Sequence, residues 1–595
     1  MEWEELQQQA AECLAQDKYD SAVCLYEECI EAAPNEMSSY WLLGLALLLA
    51  DKELEAISVW LQVMVEGNSS LVEVLTAELI KVLEAEALKR LRKGKYAQAE
   101  KIYWQIIELN PTHAEAYKNL GNALGNQGNL EEAQACYQQA LALGPNCAIT
   151  YYNVGYAFER QGKISEAIAS YQQAIVLEPN YAEAYNNLGT VLANQGKLDE
   201  AIASYQQCLT LNPKAATAYY NLGHIFEQQQ KVEEAIASYQ QAIALEPNYA
   251  EAYNNLGNVL ENQDKLEEAI PYYQQALILD PNYPEAHLNC GLILLRRGEY
   301  ERGFAEYEWR WRMEKMPPRL FTQPLWSGEE LQGRTILLHA EQGFGDTIQF
   351  IRYAPIVQQR GGIVVVECQQ PLVRLLTTVA GINKVVAYGT TLPEFDVHAP
   401  LLSLPYILGT TLETVPAQIP YLHPPEFSNL RISPPPGTRL KVGIVWSGSA
   451  GYIRNHKRSC SLSHFLELLN IPDIAFYSLQ KEPQVLELAE LADKIRLQDL
   501  SSWLDDFATT ASVMAQLDLI VTVDTAVAHL AGALGRPVWL LLSFVPDWRW
   551  MIGRSDSPWY PTMRLFRQKQ PGDWAELLRR VIEALLLFRD YNNKG

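Results

Sequence analysis

The chain has 595 residues, too many for one hydrophobic core, so several domains are expected. Its 48% hydrophobic and 10% aromatic content excludes a disordered chain. The formal net charge of -24 falls almost wholly before Lys315, which argues against a nucleic-acid groove, since that needs a basic stripe. The acid reads as a solvated helix surface, with a site for basic partners as the alternative.

Nine cysteines, scattered and without a CxxC pair, read as reduced thiols in a cytoplasmic protein. The acidic start, MEWEELQQQ, has no apolar core and is not a signal peptide. Apolar runs such as Leu42–Ala50 are too short to span a bilayer. A soluble, cytoplasmic protein with no membrane span is expected.

From the N-terminus, two units fit Glu2–Asn35 and Glu36–Ser69, the first as a polar cap, followed by an insertion around Ser69–Glu78. From about Leu79 the period is strict. Asn119, Asn153, Asn187, Asn221, Asn255 and Asn289 fall 34 residues apart, each two positions before a glycine. Pro111, Pro145, Pro179, Pro213, Pro247 and Pro281 keep the same spacing. That period, with Tyr, Pro and small residues at set offsets, predicts tetratricopeptide helix pairs, about nine over 1–315. In one unit, EAYNNLGTVLANQG (Glu183–Gly196) carries Gly189 for close helix approach. Its partner, KLDEAIASYQQCLTLNP, carries Ala201, Ala203, Tyr205 and Leu209 as packing positions. An asparagine amide both donates and accepts, so the row is a candidate for holding an extended peptide; generic polar packing is the alternative.

The pattern dissolves over Tyr307–Gly333, where Pro317, Pro318 and Pro324 stop helices. Residues 316–333 read as a linker. Trp309, Trp311 and Trp326 there pack the last repeat or offer a sugar-stacking surface.

Beyond Gly333, strands alternate with helices. Strands are predicted at Thr335–His339, Gly362–Glu367 and Lys384–Tyr388, with a helix near Thr347–Gln359. Past a proline-rich break at Pro434–Gly437 come strands at Lys441–Trp446, Ile474–Leu479, Leu519–Val523 and Pro537–Leu542. Helices are predicted near Ser461–Leu469, Glu482–Ala492 and Asp505–Gln516. The alternation predicts two lobes, 334–430 and 438–595, each a parallel sheet covered by helices. Ligands in such sheets bind beyond the carboxyl ends of the strands.

Four segments fall at those ends. EQGFGD (Glu341–Asp346) has Gly343 and Gly345 for a tight turn, and Asp346 opens the next helix, where it is a good N-cap. In Trp446–Ser461, Trp446 and Ser447 precede a basic cluster, His456, Lys457 and Arg458, that faces phosphate or simply solvent. Gln480 and Lys481 end a strand where they could meet base or phosphate. In DTAVAHLAGALGRP (Asp524–Pro537), the amides of Thr525, Ala526 and Val527 open a helix and are free for an anion. Asp524 there accepts ribose hydroxyls or caps the helix, and His529 touches ligand or is a satisfied core histidine. A fifth segment, Val545–Trp550, brings Trp548 and Arg549 past a strand end, to cover sugar or acceptor or to pack the lobes.

EQGFGDTIQFIRYAP, WSG…KRS, SLQK and VDTAVAHLAGALGRPVWLL follow one another as in two-lobed GT-B glycosyltransferases, and the second half resembles the ADP-heptose type. With the repeats, the layout is similar to bacterial tetratricopeptide glycosyltransferases, and the repeat half resembles the superhelix of O-linked N-acetylglucosamine transferase. The resemblance implies a tetratricopeptide α-solenoid followed by a two-lobed Rossmann-like α/β domain. It implies Asp346 as catalytic base, Arg458 near a donor diphosphate, Asp524, Thr525 and Ala526 as the donor-binding turn, inverting chemistry, and the asparagine row as the acceptor-peptide site. No cofactor is expected beyond the nucleotide sugar, and no DxD-like pair is placed for a metal. A carbohydrate transferase with docking repeats, or a nucleotide-binding scaffold, stand as alternatives.

Overall fold

The computed structural model describes residues 3–64, 69–313, 318–425, 430–448, 455–481, 487–488, 491 and 495–591. Pro317, the middle of the loop after Trp446 (449–454), the side chain of His456 and most of the expected helix Glu482–Ala492 lie outside them. The chain forms two compact units, Met1–Pro247 and Asn248–Gly595.

The first unit is a run of paired helices, from Trp3–Ala15 with Tyr19–Ala32 to Ala216–Gln228 with Val232–Leu245. The expected insertion is not a loop. It lengthens the first helix of the third pair, Ser69–Arg92, to 24 residues against 13 in a regular unit. Pairing rests on a glycine facing a tyrosine. A Cβ on Gly189 would come within 2.8 Å of the Tyr205 ring, and Gly121 meets Tyr137 at 2.6 Å in the same way. The turn between partners needs a left-handed residue, supplied by Gly162 and Gly196. Of the expected packing positions, Ala201 and Tyr205 are buried, but Ala203 is exposed. Ser204 and Cys208 take its place, because only positions three, four and seven residues from Ala201 share its helical face.

The second unit opens with two more pairs, Ala250–Asn262 with Leu266–Leu279 and Pro284–Arg297 with Tyr300–Tyr307, and continues into two parallel sheets. The first contains β1 (Thr335–His339), β2 (Ile363–Cys368), β3 (Lys384–Ala387) and β4 (Val397–Pro400), in the order β3-β2-β1-β4. The second contains β5 (Leu440–Val445), β6 (Ile474–Ser478), β7 (Leu497–Asp499), β8 (Leu519–Val523), β9 (Val538–Leu542) and β10 (Met563–Arg567), in the order β10-β9-β8-β5-β6-β7. Read from β7, this is the doubly wound dinucleotide-binding order, and the direction of winding reverses between β5 and β8.

Two helices differ from expectation. The helix after β1 begins at Phe344, so Asp346 lies inside its first turn. It breaks into a 3-10 turn at Ile351–Tyr353 before Ala354–Gln359, because Pro355 has no N–H to continue the ladder. The segment Ser461–Leu469 is likewise a 3-10 turn, Leu462–Phe465, followed by one α turn.

One apolar core joins the last helix pair to both sheets. Leu295, Tyr300, Phe304 and Tyr307 are buried with Ile336, Leu338, Leu540, Trp548 and Trp559. Tyr300 Oη accepts from Trp559 Nε1 at 3.0 Å. Trp326 is fully buried. Trp309 has both ring faces covered, by His287 at 3.7 Å and the Arg312 guanidinium at 3.9 Å, which closes it to a sugar. No described helix is long and apolar enough to cross a membrane.

Candidate active site

The carboxyl ends of β1, β5 and β8 open on one cavity of about 790 Å³. Its first-lobe wall is the loop after β1, with Gln342, Gly343, Phe344, Gly345 and Asp346. Its second-lobe wall holds Ser447 and Gly448 after β5, Arg458, Gln480 and Lys481 after β6, and Asp524 to Val527 after β8. The cavity therefore opens at the reversal point between β5 and β8.

Close approach across the cavity depends on Gly345. A Cβ there would stand 2.9 Å from His529 Cδ2 and 3.6 Å from Ala526 Cα. The helix Ala526–Ala533 starts with Thr525 as its N-cap residue, and Thr525, Ala526 and Val527, whose amides have no partner within the helix, line the cavity. Asp524 precedes this start. Burial and the neighbouring charge of Asp547 push its carboxyl up to about 6.

Asp346 accepts the Gly343 N–H at 2.8 Å through Oδ2. Its Oδ1 accepts from Arg549 Nη2, which comes from the loop after β9. Burial pushes the Asp346 carboxyl up, and Arg549 opposes that shift. Arg549 is only 7% exposed. It also donates to Asp547 Oδ1 at 2.8 Å and to Gln349 Oε1 at 2.8 Å. Burial opposes the charge of Asp547, but Arg549 outweighs it and holds the carboxyl low.

The remaining candidates divide. Gln480 is buried, and its Oε1 accepts from Ser447 N at 3.1 Å and Trp446 N at 3.3 Å, so it shapes the β5 loop. Lys481 is exposed on the cavity wall. His529 is 5% exposed, lines the cavity and bonds Tyr560 Oη through Nδ1 at 3.0 Å. Burial pushes its imidazole down to about 3, so it is neutral. Trp446 lies outside the lining, its ring in the core of the second lobe. Lys457 is exposed and also outside the lining. Asp547 was not legible as a site residue. The only sequence signal was its place two residues before Arg549, beyond the end of β9.

Several contacts hold the lobes on either side of the cavity. Arg374 pairs with Asp506 at 2.8 Å, and Phe344 meets Phe507 with ring centroids 5.0 Å apart. Arg352 is buried and donates to the Trp559 carbonyl at 2.6 Å. Among the described residues, no group of three or more His, Cys, Asp or Glu side chains is arranged to hold a metal ion.

The asparagine row falls in both units, and its members are half-buried. In the first unit, Asn153 donates to Asn122 at 2.7 Å, Asn187 to Tyr152 Oη at 3.0 Å and Asn221 to Thr190 at 3.5 Å. Each partner belongs to the preceding repeat. Asn119 instead donates to Glu115, one turn away, at 3.5 Å. In the second unit, Asn289 donates to Asn254 at 3.0 Å and Asn258 at 2.8 Å, while Asn255 accepts from Asn254 at 3.2 Å.

Comparison with known proteins covers both halves. Residues 50–290 match the cilia and flagella-associated protein 70 C-terminal domain. Residues 481–541 match glycosyltransferase family 9 (heptosyltransferase), a span that includes Asp524 and its helix but not Asp346. Protein FlbA of Caulobacter vibrioides is 28% identical over 293 residues, covering 44% of this chain and 48% of FlbA. The chain thus spans about half the length of the curated relative it matches. Among solved structures, MamA is similar at 28% identity and a TM-score of 0.26, over 27% of this chain and 95% of MamA. YrrB, described as a TPR protein with an unusual peptide-binding site, is similar at 25% identity and a TM-score of 0.27, over 31% of this chain and 95% of YrrB. The layout is tetratricopeptide-like repeats followed by an α/β region with a segment similar to glycosyltransferase family 9.

Proposed function

We propose that this chain is an inverting glycosyltransferase that moves a sugar from a nucleoside diphosphate to an acceptor, a protein or peptide presented by the repeats. One observation carries the reading: Asp346 and the N-terminus of helix Ala526–Ala533 line the same cavity, at the reversal point of a dinucleotide-binding sheet. The family 9 match over Lys481–Leu541 supports it.

In this reading the donor diphosphate lies against the amides of Thr525, Ala526 and Val527, with Arg458 and Lys481 beside it. The acceptor hydroxyl or amide gives its proton to Asp346 as its heteroatom bonds the sugar C1. The C1–O bond to phosphate breaks with its electron pair on the diphosphate. The helix-end amides and the guanidinium meet the charge that develops there. Both Asp346 oxygens already accept one hydrogen bond, and each retains a further lone-pair direction for the acceptor.

A second reading has support. The amide donors of Asn153, Asn187 and Asn221 are engaged with the preceding repeat, which favours repeats that dock a partner over a row that grips a peptide backbone. The acceptor would then be a carbohydrate.

The test is incubation of the full chain with a panel of nucleotide sugars, followed by mass spectrometry of co-purified proteins and of added glycans. Transfer that persists in EDTA and disappears in Asp346→Asn, while nucleotide still raises the melting temperature, supports the proposal. Unchanged turnover in Asp346→Asn refutes the assigned base. A melting shift without transfer to any acceptor points to a nucleotide-binding scaffold.

A further inference from the structure

We propose that the cavity takes up a proton together with its diphosphate ligand, and that Asp524 and Asp547 hold it. The inference rests on the donor reading above and concerns how the same cavity tolerates the donor's charge.

The argument begins with the charges in place before any ligand enters. Asp346, Asp524 and Asp547 line the cavity with Arg458 and Arg549. Arg549 is already engaged by two of these carboxylates, Asp346 and Asp547. Arg458 is the other guanidinium whose charge reaches Asp524. Asp505 and Asp506 also line the cavity, so five carboxylates face two guanidiniums; Asp506 is paired with Arg374, and Lys481 is exposed on the wall. A nucleotide sugar brings about two more negative charges to the amides next to Asp524, where burial weakens screening by water.

The surroundings of the pair leave few ways to balance that charge. Asp524 is faced by Asp547, Arg458, Arg549 and the Trp550 indole. Asp547 is faced by Arg549 and, from the last repeat, by Arg296, whose Nη2 pairs with Glu261 at 3.0 Å. His529, one turn along the helix, is neutral and bonded to Tyr560, so it brings no positive charge. Asp524 is the group nearest to protonation at neutral pH, since burial and Asp547 already push its carboxyl up to about 6. An incoming diphosphate pushes it further in the same direction. A proton taken from water onto the Asp524–Asp547 pair removes one negative charge from the cavity and converts Asp524 from a repelling acceptor into a donor toward phosphate oxygen. A divalent cation is the competing way to meet the same charge.

The experiment is isothermal titration of the full chain with ADP-glucose, GDP-mannose and UDP-N-acetylglucosamine at pH 7.5, in Tris, HEPES and imidazole. Each phosphate of these probes carries one ester and one anhydride link, which leaves them no proton of their own to exchange near neutrality. The binding heat should change with buffer ionisation enthalpy by the amount for about half to one proton taken up, and affinity should fall by up to about tenfold per pH unit above 7. In Asp524→Asn, whatever affinity is left, the binding heat should no longer change with the buffer. Binding whose heat is the same in every buffer, or binding that requires added magnesium, overturns the inference and leaves the donor reading standing. No binding by any of the three overturns both. The wild-type measurement decides the matter even if the variant fails to fold.

Discussion

Arg549, on the loop after β9, donates to the carboxylate of Asp346 in the other lobe, 203 residues away in sequence. Asp547 holds the opposite side of the same guanidinium at 2.8 Å. The ion pair ties Asp346, the proposed base, to the second lobe and orients its carboxylate, beside the other contacts between the lobes.

Removing Arg549 leaves Asp346 and Asp547 without their shared cation. Arg549→Met is expected to lower stability by about 3 kcal/mol, the scale for breaking a buried ion pair from one side. Asp346→Asn keeps the side-chain shape but only one oxygen acceptor, so it retains the bond from Gly343 or from Arg549 and not both. Its turnover should fall by about 10²–10⁴-fold. Chemical denaturation and initial-rate assays check the two; a stable Arg549→Met chain with full activity would contradict the assignment.

Asp524 should behave as a residue held against its own stability. Its folded pKa is raised, so the native state binds the extra proton between about pH 3.8 and 6, and its destabilising effect is complete above that window. Asp524→Asn is expected to gain about 1–3 kcal/mol at pH 7.5, with the gain shrinking at pH 5. Denaturation curves at the two pH values test this, and a loss of stability at pH 7.5 would contradict it.

Two buried histidines act in the opposite sense. Burial pushes His339 and His529 down to about 3 from an ordinary 6.5. Between those values only the unfolded chain takes the proton, so stability falls as pH drops through the window. Each contributes up to about 1.4 kcal/mol per pH unit. His339→Phe, beside Phe321, should flatten the acid limb between pH 6.5 and 5; an unchanged slope would show that His339 is not held neutral.

In the repeats, Gly189→Ala places a Cβ within 2.8 Å of the Tyr205 ring. The expected cost is ~1–3 kcal/mol. Combined with Tyr205→Leu, the two effects should fall short of additive, because the ring that the new Cβ meets is gone in the double variant. Thermal melts of the four chains check this. Asn187→Ala and Asn221→Ala should each cost ~0.5–1.5 kcal/mol through the lost bond to the preceding repeat. If peptide transfer also drops in Asn187, Asn221 and Asn255 variants of unchanged fold, the row binds acceptor.

The last helix pair belongs to the core of the α/β region. A chain beginning at residue 318 lacks Tyr300, Phe304 and Tyr307, which bury Trp548 and Trp559. It is expected to aggregate, whereas 248–595 should give a cooperative melt. Equal solubility of the two would show that those aromatics are dispensable.

The sequence by itself determined the repeating helix pairs, because a 34-residue period places a glycine against a tyrosine ring in five successive units, from Gly121–Tyr137 to Gly257–Tyr273. It determined seven strands, each a continuous apolar run. The three it did not reveal, β4, β7 and β10, all lie at sheet edges, where strands are short or interrupted by polar residues or proline: His398 and Pro400 in β4, Gln498 and Asp499 in β7, Arg564 in β10. It also placed Asp346 and Asp524 beyond strand ends, since turn glycines and helix starts are local signals. Only the tertiary structure decided that these two line one cavity, that Asp547 joins them, and that Trp446 turns inward while Arg458 lines the wall. Ion pairs such as Asp346–Arg549 join segments that no local pattern relates. Which face of a loop meets the cavity depends on how the lobes pack, and that packing comes from apolar contacts summed over the whole second unit.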